Sequence, residues 1–298
     1  MRTRLITFLL VAIGFSLWFA TPSVAQRPIV SKDSTWRFSG NASLTFSQVA
    51  LSNWVAGGQN SLSGEAAAFL SLEHMKGRSA WTNTLDLGFG ITKLGEDGLV
   101  KHLDKFDFAS KYGYQAYKAW YYSALFSLKT QFAAGYKYPD RNNKISDFLS
   151  PLYGTLALGA DYKPNDKFSM LLSPLTGRMI YVGAPSLSAI GAFGVKPNEH
   201  VKWELGGLVR ATYRDVFLNG QLGLLTKLEL FSNYLEKPQN IDVSFDVLLD
   251  YRLNDFLTAK FQLTMLYDDD QKVPQANGTM APKLQVREMF GIGLAYRF

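Results

Sequence analysis

The sequence contains no cysteine. Disulfides, thiolate metal centres, a thiol nucleophile and a lipidated cysteine anchor are therefore excluded. Histidine is nearly as scarce, with only His74, His102 and His200, which leaves little material for imidazole-based metal or hydrolase chemistry. Beyond residue 25 no apolar run approaches the roughly 20 residues a helical span requires. An excess of charge of one sign is also missing. There are 31 basic and 25 acidic residues, and two of the basic ones, Arg2 and Arg4, belong to the leader described next. The balance gives weak support for an anionic partner, and an exported chain meets no nucleic acid.

The first residues are of a different kind. Arg2 and Arg4 are followed by an apolar stretch from Leu5 to Ala20, and Ser23-Val24-Ala25 places small residues ahead of Gln26. This is the pattern of a cleaved secretory signal peptide over 1–25, because the apolar run is too short for a membrane anchor. Residues 26–34 are expected to form a short periplasmic lead, and 35–298 the folded domain.

What remains is dominated by period-2 alternation. The last stretch is the clearest: Phe290, Ile292, Leu294, Tyr296 and Phe298 fall on one face, and Arg287, Met289, Gly291, Gly293, Ala295 and Arg297 on the other. A free terminal strand with such an apolar face invites aggregation, whereas a closed barrel pairs it with the first strand and turns that face to lipid. Eleven further stretches alternate in the same way, beginning near Trp36, Leu62, Trp81, Lys105, Tyr117, Leu152, Phe168, Val201, Leu218, Ile241 and Leu257. Pro174 interrupts the seventh, and Thr176 and Arg178 then sit in phase with the former apolar set, which predicts a bulge. The segment Gly183–His200 is expected to be an apolar loop at the barrel mouth. Twelve strands satisfy the even parity of a barrel with both ends in the periplasm, and short turns then alternate with long loops. Trp36, Trp81, Trp120, Trp203, Tyr213 and Tyr296 lie near strand ends on apolar faces, as an interfacial girdle requires. The mean hydropathy of −0.04 fits a wall with one polar and one apolar face better than a helical bundle. The expected fold is an all-β, transmembrane, antiparallel up-and-down β-barrel of about twelve strands in the outer membrane of a Gram-negative bacterium.

Several strings occur together in order: Asn53-Trp54 with Gly57-Gly58-Gln59-Asn60-Ser61; Ser173-Pro174-Leu175-Thr176-Gly177; Phe231-Ser232-Asn233-Tyr234 with Pro238-Gln239-Asn240-Ile241-Asp242-Val243; Tyr267-Asp268-Asp269-Asp270; and the ending Gly291-Ile292-Gly293-Leu294-Ala295-Tyr296-Arg297-Phe298. Over the whole mature chain they resemble a family of Bacteroidetes outer-membrane proteins catalogued as a domain of unknown function. The resemblance implies a source phylum and a location, and carries no catalytic or ligand residues. The terminal strand ending in Phe298 also resembles the signal that the outer-membrane barrel assembly machinery reads.

Candidate chemistry is sparse. The inward faces carry ions of both signs, among them Lys105, Asp107, Lys111, Arg210, Asp246, Arg287 and Arg297, and these serve either conduction or mutual neutralisation. In the loop around Asn53, Trp54 and Asn60, an indole beside amides can stack a sugar ring, or the Trp can plug the barrel mouth. Asp268, Asp269 and Asp270 can bind a divalent cation and bridge lipopolysaccharide, or form a solvated acidic loop. A lipid-modifying hydrolase would need a serine near a histidine, and His102 with Asp104 is the least poor start. No cofactor is indicated, and the expected partners are outer-membrane lipid, lipopolysaccharide and the assembly machinery. Function thus divides between passive small-solute passage through a narrow lumen and a structural or surface-interaction role for an occluded barrel, with catalysis third. The slim, cationic inner face of the last strand is the expected route of any pathway.

Overall fold

Twelve strands follow the twelve alternating stretches. They are β1 (Trp36–Val49), β2 (Ser61–Lys76), β3 (Ser79–Leu94), β4 (Gly98–Tyr117), β5 (Trp120–Thr130), β6 (Leu152–Tyr162), β7 (Phe168–Tyr181), β8 (Val201–Phe217), β9 (Leu222–Asn233), β10 (Ile241–Arg252), β11 (Leu257–Tyr267) and β12 (Gln285–Arg297). The structure, a computed structural model, describes residues 29–30, 36–49, 60–95, 98–270, 272–274 and 280–298. The leader 1–25 lies outside them. Each strand pairs antiparallel with its neighbours in sequence, and β12 pairs with β1, so the sheet closes on itself. The chain is an all-β, up-and-down barrel. Closure leaves no free edge, and alternation sorts side chains between an outer and an inner surface.

The terminal strand shows the sorting. Leu294 is 53% exposed and Tyr296 60%, both facing out, while Gly291 and Gly293 between the outward residues are buried. The same holds opposite, where Leu44 and Phe46 are exposed and Ser43 and Thr45 buried. The ends of the barrel differ. At one end the connections are tight: Gly77 takes the left-handed conformation that turns β2 into β3. The side chains of Asn165 and Asn254 each accept two backbone N–H bonds, from Lys167 and Phe168 and from Phe256 and Leu257, fixing the turns before β7 and β11. At the other end the connections are long. The β5–β6 loop contains a small ribbon, Gly135–Tyr136 against Lys144–Ser146. The β7–β8 loop carries a short helix, α1 (Pro185–Ala189), and a 3-10 turn at Ala192–Gly194. Val182, Ala184, Leu187 and Val195 form its buried apolar cluster. Ser150 ties the two loops together, its Oγ accepting from the Ala184 N–H at 2.8 Å. The segment Gly183–His200 is thus a packed loop rather than a thirteenth strand.

The Pro174 bulge is present. The β7 ladders with both neighbours slip there, Leu175 turns outward, and Thr176 is fully buried inward. A second slip escaped the sequence pattern. On the β3–β4 ladder Gly90 pairs with Leu103 and Ile91 with Lys101, leaving His102 as an extra residue. It hides the start of β4, which begins at Gly98, ahead of the alternating stretch expected from near Lys105.

The seam is the shortest ladder in the wall. It runs from Asn41–Arg297 to Phe46–Ile292, six residues, whereas β2–β3 and β3–β4 each pair over sixteen. Gly40 and Phe298 exchange both backbone hydrogen bonds, at 2.8 and 3.0 Å, so the chain terminus is itself part of the wall. Just past it, Ile29 and Val30 pair with Phe38 and Arg37. Part of the lead thereby continues along β1 where the last strand stops.

Candidate functional site: the charged lumen

Inward side chains meet across the barrel. Asp86 on β3 accepts hydrogen bonds from Lys105 on the neighbouring β4 at 2.8 Å and from Lys227 on β9 at 3.0 Å. In a ring of twelve, β3 and β9 are diametrically opposed. A circular section would be about 24 Å across, from strands about 4.8 Å apart and tilted roughly 40°. Lysine and aspartate cannot span that width, so the section is flattened and the β2–β4 wall faces the β8–β9 wall. Phe69 on β2 lies 5.6 Å from the Arg214 guanidinium on β8 and 5.3 Å from the Lys227 ammonium, which fits the same flattening.

Further ion pairs stack on both sides of this bridge. Glu229 on β9 takes Lys129 from β5 at 3.0 Å and Arg210 from β8 at 2.8 Å. Lys111 donates to Asp161 and to Ser169, each at 2.6 Å. Towards the long-loop end Arg178 joins Glu204 and Asp242 and lies over the Phe231 ring. Beside the seam Arg287 pairs with Glu65 at 2.8 Å and donates to Gln262 at 3.1 Å. Sharing one carboxylate between two cations offsets the cost of withdrawing each charge from water.

An apolar patch also lies inside the barrel. Leu125, Ala157, Leu171, Leu208 and Phe231, from β5 to β9, point inward and bury one another. Their inward phase is readable in the alternation, but alternation within one strand does not show that residues of five strands meet. With the ion pairs they fill much of the section. Among the spaces that remain inside are a cavity of about 180 Å³ near the short-turn end, reached past Glu73, Thr82 and Arg214, and one of about 90 Å³ deeper in. Lys227 and Asp246 line both.

The residues singled out in the sequence are distributed as follows. Lys105, Lys111, Arg210 and Arg287 are the cationic halves of the pairs above. Asp107 lines the larger cavity, and Asp246 accepts from Thr264 at 2.7 Å. Arg297 stands beside the terminus, in register with Asn41. The glycines of the seam, expected to leave the lumen least filled there, are instead packed against β1. A Cβ on Gly293 would run into the Leu44 carbonyl, and one on Gly291 into the Thr45 side chain. The glycines admit this close approach of β1. Asn53 and Trp54 lie outside the described residues, and the Asn60 carbonyl accepts from the Gly95 N–H at 2.8 Å.

The three aspartates do not converge. Asp268 accepts from the Asp270 N–H at 2.9 Å, Asp269 takes Asn240 at 2.6 Å and Lys237 at 3.4 Å, and Asp270 takes Lys202 at 2.6 Å. Burial pushes the Asp268 carboxyl above the usual carboxylate range, and the Asp270 charge adds to this. Among the described residues no group of three or more potential ligands is placed to hold a metal ion. Nor do His102 and Asp104 form a dyad. Asp104 bonds Lys101 and the N–H groups of Phe132 and Ala133, fixing the chain where β5 leaves the wall. His102 instead contacts Thr92 at 3.0 Å and Glu65 at 3.6 Å.

Residues 46–136 match a family model described as a protein of unknown function (DUF3078). No curated protein matches the sequence. Among solved structures, an outer membrane channel from Pseudomonas putida F1 aligns at 11% identity with a TM-score of 0.40, over 93% of this chain and 100% of that one. The translocator domain of the autotransporter NalP from Neisseria meningitidis aligns at 10% identity and a TM-score of 0.37, over 100% and 96%. The NanC porin aligns at 9% identity and a TM-score of 0.35, over 87% and 100%.

Proposed function

We propose that this chain is an integral outer-membrane barrel of a Gram-negative bacterium, within the Bacteroidetes, and that its lumen is held shut by a core of ion pairs. On this reading the short turns and both termini face the periplasm and the long loops face the exterior. Outer-membrane lipid and lipopolysaccharide surround the apolar belt, and the assembly machinery reads the strand ending in Phe298. The barrel serves a structural or surface-interaction role, with the tied β5–β6 and β7–β8 loops as its outward platform. The observation that carries the closed lumen is the Asp86–Lys227 bridge between opposite strands at 3.0 Å. An open pore segregates its charges around a water column, whereas charges joined in pairs across the section leave little room for one.

One observation favours small-solute passage as a second reading. The two internal cavities share Lys227 and Asp246, so the closed point between them is thin. Release of a small entrapped sugar from proteoliposomes separates the two. Wild-type barrels are expected to release no more than protein-free vesicles, and the Asp86→Ala/Lys227→Ala variant to leak. Rapid release by the wild type would establish passage and end the closed-lumen reading.

A further inference from the structure

The outer wall is not evenly convex. An apolar trough of about 710 Å³ crosses it at the seam. Register places Tyr296, Ala42, Ala68 and Leu87 in one row across β12, β1, β2 and β3. Where most outward positions carry large side chains, this row and the next have Ala42, Ala66 and Ala68 as a low floor. Phe256, in the β10–β11 turn, closes one end, and Phe132, where β5 leaves the wall, closes the other. No charged side chain lines the trough.

Its proportions narrow the occupant. Its lining comes from four strands, β12 to β3, and three spacings of about 4.8 Å give a length of about 14 Å. The volume of about 710 Å³ then leaves a cross-section of about 50 Å². A helix 10–12 Å across has a section of roughly 80–110 Å² and would seat only its edge, and the rounded wall of another barrel would touch only the rims. Extended hydrocarbon fits, and the trough lies on the face that the reading above turns towards lipid. It also overlies the six-residue ladder, the shortest in the ring. We propose that this trough is a binding site for an acyl chain of a membrane phospholipid, held across the β12–β1 seam. The bound chain bridges four strands where backbone hydrogen bonds are fewest and so splints the closure. The inference rests on the membrane reading but not on whether the lumen is closed.

The test uses the full barrel reconstituted in nanodiscs of palmitoyl-oleoyl phosphatidylethanolamine and phosphatidylglycerol, transferred to detergent and weighed by native mass spectrometry. One phospholipid should remain on the wild type. Ala42→Phe and Ala66→Phe, which raise the floor, should cut the retained fraction at least tenfold. Ala211→Phe, on the outer face of β8, should leave it unchanged. Heat-dependent gel migration checks that each variant is folded, and the smaller Ala68→Leu replaces any that is not. Three outcomes overturn the proposal: no lipid on the wild type, equal loss in the groove and control variants, or a dimer that only the groove variants abolish. Failure of the wild type to enter the bilayer at all would instead refute the membrane reading.

Discussion

Removing the Asp86 carboxylate should destabilise the barrel more than removing Lys227, although both belong to one bridge. Asp86 serves two lysines, at 2.8 and 3.0 Å, and the three side chains are 23%, 33% and 27% exposed for Asp86, Lys105 and Lys227. Asp86→Asn leaves two ammonium groups in the lumen with their shared anion gone. Stripping one partner from a buried pair costs about 3–5 kcal/mol. The partial exposure of these groups moves the expectation to the lower end, about 3 kcal/mol. Lys227→Met leaves Asp86 still joined to Lys105 and removes one charged hydrogen bond, at a cost of about 1.5 kcal/mol. Urea unfolding in phospholipid vesicles, followed by tryptophan fluorescence, reads both values, and an unchanged slope confirms that the same transition is observed. A double-mutant cycle should return a coupling of about 1–2 kcal/mol. If both single substitutions fall within about 0.5 kcal/mol of wild type, the charges are separately hydrated, as in a water-filled pore, and the argument fails.

Three other expectations follow from particular contacts. Gly293→Val should lower folding yield sharply, because its Cβ meets the Leu44 carbonyl, whereas Gly177→Ala, with nothing nearby, should fold like wild type; heat-dependent gel migration reports both. Amide exchange should be fastest, among wall strands, at the six-residue β12–β1 ladder and slowest along β3–β4, and uniform exchange around the ring would contradict the seam argument. In the β5–β6 loop the Lys144 ammonium, 2.6 Å away, holds the Asp147 carboxyl below its ordinary value. A depressed carboxylate pKa contributes stability that is present above the unfolded value of about 3.9 and lost as pH falls through the folded one. Protease resistance of the ribbon should therefore be flat at neutral pH and decline below about pH 4, and Asp147→Asn should remove that decline.

The wall was legible in the sequence because its rule is local. Inside–outside alternation needs only neighbouring residues, and even the Pro174 bulge announced itself when Thr176 and Arg178 fell out of phase. The His102 bulge did not, since it sits where charged and apolar residues already mix and no proline marks it. The partners of the inward charges were beyond the sequence for another reason. Register relates only adjacent strands, while Asp86 and Lys227, or Lys129 and Glu229, meet because the ring is flattened. That property belongs to the closed section as a whole. The inward phase of Leu125, Leu171 and Leu208 was visible, but their mutual burial depended on the same geometry. The slimness of the last strand's glycines is plain in the sequence, but the close approach of β1 that it serves depends on the neighbouring strand.

Single-channel recording of the purified wild-type barrel in a planar bilayer tests the central claim most directly. The ion-paired lumen predicts insertion without steady conductance steps at neutral pH in molar potassium chloride. Uniform, voltage-independent steps from the wild type would show a continuous water path and contradict it.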